Sequence, residues 1–436
     1  MGEGPPPPVD SVAPLTGAPP KRPRTDSDAS TSIKSIRSVR TLSEDDLEYV
    51  HENDRTYGND TYYLPCVYMP NNDYEEQDRL SLQHQIFVHA LQGRLTTTRL
   101  LPSTRRILDL GTGPGHWAVA MANQYPHAEV VGIDMTSWDL NTTSATVGDS
   151  CVTWELDDLD VWGCGEDSVF DDLVNHFSSL DFAAAMSHRN PLESSRSRAR
   201  TFKTGPGHSS GSQPDNSVEY LSIDLSTLQP QPEPGWHFSA PFEFIHLRNM
   251  KGAFADWEAV YAEIYKSLSP GGWIEVADYD LGQMPISPQD HESGRSTFPA
   301  LRKVYAKLME ASFKSGRPLG LYYMHSSYLE EAGFEDIQTT HVNVPVGQWA
   351  EDEAQRSVGK KMLVIVMESL ETSLLRLMTK WGDRERVWTA EEVRRQVEEV
   401  QGEISDWVER SERGEVEGWC ARFKWITARK SWHAET

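Results

Sequence analysis

The stretch Arg105–Arg106–Ile107–Leu108–Asp109–Leu110–Gly111–Thr112–Gly113–Pro114–Gly115–His116–Trp117 decides the fold. It reads as a buried strand, a glycine-rich turn and the opening of a helix. Ile107, Leu108 and Leu110 form an apolar run around an acid, and glycines then recur at every second position. Helical spacing follows in Trp117, Val119, Ala120 and Met121. Glycine is required where a backbone turns sharply and brings its amides close to a ligand. A second strand, Ala128–Glu129–Val130–Val131–Gly132–Ile133–Asp134, ends in another acid about 20 residues on, where nucleotide-type folds hold a ribose.

The glycine spacing narrows the ligand. A dinucleotide site prefers G-x-G-x-x-G around a pyrophosphate. Here Asp109-x-Gly111-x-Gly113-x-Gly115 brings the third glycine one residue early and places an acid two residues before the first. A carboxylate there suits a cationic amine better than a phosphate. The pattern resembles motif I of class I S-adenosylmethionine-dependent methyltransferases.

The rest of the chain bounds the reading. It has 436 residues and a formal net charge of −25. That acidity argues against direct nucleic-acid binding, which needs a basic face. No apolar run approaches the roughly 20 residues of a membrane span. The best, Met362–Leu363–Val364–Ile365–Val366–Met367, meets Glu368 at once and reads as a buried helix. Cys66, Cys151, Cys164 and Cys420 are scattered, so neither a disulfide framework nor a zinc site is indicated, and no metal is expected. The amino terminus lacks a signal-peptide pattern, and the expected location is cytoplasmic, with the nucleus left open.

Residues 1–41 are rich in proline, serine and threonine and are expected to form a disordered tail. Its cluster Pro20–Lys21–Arg22–Pro23–Arg24 fits either a nuclear import signal or a solvated charge patch. A short helix is expected over 45–50. A longer one follows Pro70–Asn71–Asn72–Asp73, with Leu80, His84 and Phe87 on one face.

This helix contains Glu75–Glu76–Gln77–Asp78–Arg79–Leu80–Ser81–Leu82–Gln83–His84–Gln85–Ile86–Phe87. With the glycine-rich strand, Phe244–Ile245–His246–Leu247–Arg248–Asn249 and Pro270–Gly271–Gly272–Trp273–Ile274–Glu275–Val276, it resembles the fungal LaeA-like methyltransferases, also described as trans-aconitate-methyltransferase-type or TAM-domain proteins. The resemblance covers roughly residues 55–162 and 240–345.

A Rossmann-like α/β fold is therefore expected, with a mostly parallel sheet, an antiparallel last strand and helices on both faces. Strands are predicted at Val152–Asp158, Phe242–Leu247, Trp273–Asp278, after Gly333, and at Cys420–Thr427, with a helix over Trp257–Leu268. One methyltransferase domain spans 42–436. It includes an N-terminal lid (42–100), a loop-rich insertion (about 163–240) and a helical insertion (about 351–415).

The cofactor implied is S-adenosylmethionine. Gly111, Gly113 and Gly115 would admit its backbone-bound end, Asp109 would lie near its amino group, Asp134 near its ribose, and Asp157 or Asp158 near its adenine. His246, at a strand end, is the candidate base. The alternative for His246 is a hydrogen-bonded ring that shapes the pocket. Arg248, Asp278 and Tyr279 are candidate acceptor-lining residues, as are Trp273, Tyr322, Tyr323 and Trp349. Tyr57 and Tyr62 could meet a sulfonium through cation–π attraction. Two functions remain open at this level: methyl transfer to an oxygen or nitrogen of a small-molecule acceptor in secondary metabolism, or LaeA-type regulation in the nucleus through protein partners.

Overall fold

The computed structural model describes residues 49–64, 73–138, 152–162, 234–281, 285 and 297–433. The tail over 1–41, its basic cluster and most of the insertion over about 163–240 lie outside the described residues.

Seven strands form one sheet: β3 (Arg106–Leu110), β4 (Glu129–Asp134), β5 (Val152–Leu156), β6 (Phe242–Arg248), β7 (Leu268–Asp280), β8 (Glu335–Val346) and β9 (Trp419–Arg429). Their order is β5-β4-β3-β6-β7-β9-β8. The first five are parallel, and β9 runs antiparallel to both of its neighbours. This is the expected sheet. The winding direction reverses between β3 and β6, and a crevice opens at the carboxyl ends of strands at such a switch point.

Alternation along the strands buries both faces. Ile107 and Phe244 pack with Trp117, Ala118 and Met121 of α2 (His116–Gln124). Leu108, Leu110, Ile245 and Leu247 face the other way, onto α3 (Trp257–Ser267) and α5 (Ser326–Glu331). Phe423 and Trp425 of β9 join α1 (Asp73–Ala90), α4 (Pro299–Lys314), α6 (Glu353–Arg376) and α7 (Ala390–Glu412) in the largest core. Met362 and Ile365 are fully buried there, at about 2 kcal/mol for each side chain removed from water. The caps are conventional. Asp256 accepts from the Ala259 amide at 2.9 Å, and Thr389 and Glu392 form a capping box. Among the described residues no helix is long and apolar enough to cross a membrane.

One expectation needs correction. Residues 45–48 of the expected helix are outside the described set, but Tyr49 is not helical and Val50 begins a hairpin of β1 (Val50–Glu52) and β2 (Arg55–Tyr57). Asn53 and Asp54, both at positive φ, make its two-residue turn, which suits their short polar side chains.

Two buried arginines fasten this N-terminal segment. Arg376 of α6, with no exposed surface, donates to Glu52 at 3.0 Å and to the carbonyls of Asn59 (2.8 Å) and Tyr62, and lies 4.3 Å over the Tyr57 ring. Arg317 pairs with Asp160 and sits 4.0 Å over the Tyr62 ring, while the Tyr63 hydroxyl donates to its carbonyl at 2.8 Å.

A third buried charge ties the loop before β3 to the sheet. Glu275 of β7 has no exposed surface, and its Oε2 accepts from the Thr96 hydroxyl (2.9 Å), the Thr97 amide (2.8 Å) and hydroxyl (2.5 Å), and the Thr98 amide (3.2 Å). Glu275→Ala would strand these donors. It is expected to destabilise the fold by about 3 kcal/mol, read as a lower urea midpoint, with Glu275→Gln costing less.

Candidate active site

At the switch point, the ends of β3, β4, β5 and β6 border a cavity of about 330 Å³. Gly58, Tyr62 and Leu64 of the N-terminal segment and Gln83 of α1 cover it, and Ser369, Thr372 and Ser373 of α6 line its far side. Asp109, Gly111, Gly113, Asp134, Asp157, Asp158, Arg248 and Tyr279 all border it, whereas Gly115, His246 and Asp278 do not.

Of the two roles open to His246, base or pocket-shaping ring, its placement off the cavity lining bears on both. Its ring is 1 % exposed, stacks on Trp117 with centroids 3.7 Å apart, and gives its Nδ1 to Asp109 Oδ1 at 2.8 Å. An ionised carboxylate only accepts, so Nδ1 carries the proton. The other Asp109 oxygen accepts from the Thr112 hydroxyl at 2.7 Å. A base must reach the proton it removes, and this imidazole lies beneath the cavity wall. The Asp109 contact and the Trp117 stacking fix one nitrogen and one face of the His246 ring.

The three glycines do different jobs. Gly113, at φ 56°, has nothing within 4 Å of where a Cβ would stand, so its surroundings are open for a ligand. Gly111, at φ 66°, is crossed by Met250. Gly115, at φ 79°, is pressed against Trp154, whose indole would lie 2.3 Å from an added Cβ. The same indole covers Gly132, a small residue whose need the strand pattern did not reveal.

Asp134 ends β4 with its Oδ2 on the Gly113 amide (2.8 Å) and Oδ1 on the Thr136 amide (3.0 Å). Burial raises its pKa above the usual carboxylate value, with the two amides opposing. Of the next pair, Asp158 is committed to the cover: it accepts from the Tyr62 hydroxyl at 3.0 Å and from Asn59 at 3.4 Å. Asp157 gives its amide to the Asp134 carbonyl at 2.9 Å, which sets its place on the wall.

On the side facing α1, Arg248 donates to His84 Nδ1 at 3.2 Å and lies 5.1 Å over the Phe87 ring. A guanidinium cannot accept, so His84 Nδ1 is unprotonated. Burial, then the Arg248 charge, lower the His84 pKa well below the usual imidazole value and lower that of His116 as well. Burial likewise lowers that of Arg248, to about 10.

Asp278 sits behind the wall it was expected to form. It is fully buried and accepts from Lys251 (2.6 Å), the Tyr323 hydroxyl (2.5 Å) and the Tyr279 amide (2.7 Å). Lys251, which sequence reasoning missed, takes its place on the wall and lies 4.2 Å over the Tyr279 ring. Burial alone would lower the Lys251 pKa, but Asp278, Tyr279 and Asp280 together turn the net shift upward. Trp273, Tyr322, Tyr323 and Trp349 do not border the cavity; Trp349, for example, donates to the Trp419 carbonyl at 3.0 Å. Arg376 and Arg317 each occupy one face of Tyr57 and Tyr62, and of these two rings Tyr62 borders the cavity. Sequence reasoning also missed Ser369, Thr372 and Ser373, whose only signal was a polar patch inside a helical apolar pattern.

Among the buried atoms bordering this space that lack a hydrogen-bond partner are Gln83 Oε1, His116 Nε2 and Asn249 Oδ1. Orphaned polar atoms beside an open glycine turn fit a polar ligand that would satisfy them.

Comparison with known proteins agrees with this geometry. A family model described as a methyltransferase domain matches residues 82–346. The secondary metabolism regulator laeA of Aspergillus fumigatus is 27% identical over 346 residues, 78% of this chain and 69% of that protein. Methyltransferase pytC of Aspergillus terreus is 27% identical over 384 residues, covering 87% and 90% of the two chains. The protein-methionine methyltransferase laeA of Emericella nidulans is 27% identical over 333 residues, covering 74% and 64%.

Two outcomes follow from the packing. Gly115→Ala is expected to lose about 2–3 kcal/mol in chemical denaturation through strain and the Trp154 clash, and Gly113→Ala only about 1 kcal/mol. Below pH 6.5 the unfolded chain takes up protons that buried His84 and His116 refuse, so stability falls as pH falls. For His84 the loss should reach about 2 kcal/mol by pH 5, and His84→Asn, which keeps an acceptor for Arg248, should flatten the urea-midpoint profile.

Proposed function

The chain belongs to the methyltransferase-domain family, and from that premise we propose that it methylates an oxygen or nitrogen of a small molecule of secondary metabolism. It is an S-adenosylmethionine-dependent methyltransferase, and the cofactor supplies a methyl group already activated on a sulfonium. The protein's task is to hold donor and acceptor in line and keep water out.

The observation that carries the proposal is the two-sided cavity. One side is the glycine turn with Asp134, and the other is a polar wall from α6, Lys251 and Tyr279. Gly113, with its open surroundings, and Asp134 would bind the cofactor's nucleoside part, with Asp157 beside the adenine. Tyr279 and the hydroxyls of Ser369, Thr372 and Ser373 would orient the acceptor. Lys251, kept cationic by Asp278, would favour an acceptor atom that carries negative charge. The pytC relative, named a methyltransferase and matched along 90% of its length, supports this reading.

A second reading rests on the relatives named as regulators of secondary metabolism. It makes the acceptor a protein side chain and gives the tail cluster at Lys21, Arg22 and Arg24 a role in nuclear entry. Nuclear localisation lost on substituting those three residues, with no turnover of small molecules, would favour it.

Calorimetric titration with S-adenosylmethionine tests the donor site. The wild type is expected to bind, Gly113→Arg to abolish binding, and Asp134→Ala to weaken it about 10- to 100-fold. A folded wild type that shows no heat of binding would overturn the proposal.

A further inference from the structure

Arg248 is a cation of this site that, among the described residues, no carboxylate contacts directly, although Asp109 and Glu275 act on it from a distance. It stands where β6 runs out into the crevice and borders the cavity. Its hydrogen-bond partner, His84 Nδ1, brings no charge, and among the described residues no carboxylate forms an ion pair with it. The two acids nearest in effect are Asp109 and Glu275. Asp109 is spent on His246 and Thr112, and Glu275 is held through one oxygen by the threonines at 96–98. A buried guanidinium without an anion is costly, so such a group is retained where a ligand delivers one.

The neighbours of this pair add the complementary half. Asn249, one residue along from Arg248, and Gln83, one residue before His84, each turn an unpartnered side-chain oxygen inward, and Gln83 is 5 % exposed. A cation flanked by two open acceptors matches an α-amino-acid end group, whose carboxylate and ammonium sit on one carbon. The patch lies at the glycine-turn end of the cavity. The His116 ring, at the start of α2, is 5.7 Å from that of His84.

We propose that Arg248 binds the methionyl carboxylate of S-adenosylmethionine, with the Gln83 and Asn249 side-chain oxygens receiving its ammonium. This rests on the cofactor reading above. It moves Arg248 from the acceptor wall to the donor and leaves Asp109 as the scaffold of the turn.

The test compares calorimetric dissociation constants for S-adenosylmethionine and decarboxylated S-adenosylmethionine, which differ by the carboxylate alone. The wild type is expected to bind the decarboxylated compound about 30- to 100-fold more weakly. Arg248→Gln should bring that ratio to within about threefold by weakening S-adenosylmethionine alone, and Arg248→Lys should give an intermediate ratio. Thermal melts establish that each variant is folded, and the wild-type ratio needs no variant. A wild-type ratio near one overturns the inference. So does a ratio that survives Arg248→Gln, which would leave the guanidinium to an acceptor anion. A wild type that binds neither compound shows that the cofactor reading has failed, and the inference falls with it.

Discussion

The site depends on one buried contact, the Asp109 carboxylate between His246 and Thr112. Asp109 is the next-to-last residue of β3 and His246 faces it across the parallel pairing with β6, register partners at the point where the sheet reverses direction. One oxygen fixes the neighbouring strand and the other fixes the hydroxyl at the centre of the glycine turn. Trp117, stacked on His246, carries the same constraint into α2. A buried carboxylate with both oxygens satisfied is tolerable, and losing either partner would leave charge without compensation. The turn is therefore set by the sheet beneath it, and Gly113 can stay open because nothing above has to hold it.

The cover over this turn is built on a different principle. The segment over 49–64 has little sheet of its own, and two arginines from distant parts of the chain hold it. Both guanidiniums combine an acid, backbone carbonyls and a tyrosine face, which spreads one charge over several acceptors. Asp158 closes the arrangement from below by binding Tyr62 and Asn59. An acid read from the strand end as an adenine contact thus fastens the cover, while its neighbour Asp157 keeps the wall position.

Most of the architecture was legible because it is encoded locally. The apolar strands, the glycine spacing and the acid ending β4, with the family resemblance, were enough for a mostly parallel sheet with an antiparallel last strand and for the glycine-turn side of the cavity. What stayed hidden were relations between distant residues. Strand-end position made His246 a candidate base, and nothing in its own stretch foretold the stacking on Trp117 or the bond from Nδ1 to Asp109. Asp278 looked like lining until Lys251 and Tyr323 closed over it. Tyr57 and Tyr62 were candidates to meet a sulfonium, and nothing near them in the chain foretold that Arg376 and Arg317 each occupy one face. Gly132 gave no signal because its requirement belongs to Trp154, on the next strand. In each case a side chain's role is decided by its partner, and partners separated by many residues leave no pattern in the chain.

The fastening by Arg376 bears on how the protein is made. Asn59, whose carbonyl it binds, precedes it by 317 residues. The edge strand β8 joins the sheet only through β9, which is translated after α6 and α7. A nascent chain that has already built the glycine turn therefore has only the Arg317 fastening of its cover until α6 has left the ribosome. Such late, long-range closure is slow and exposes apolar surface meanwhile. Cofactor capture becomes a late event in biogenesis, and a chain truncated before α6 would carry the turn without the clasp that completes its pocket.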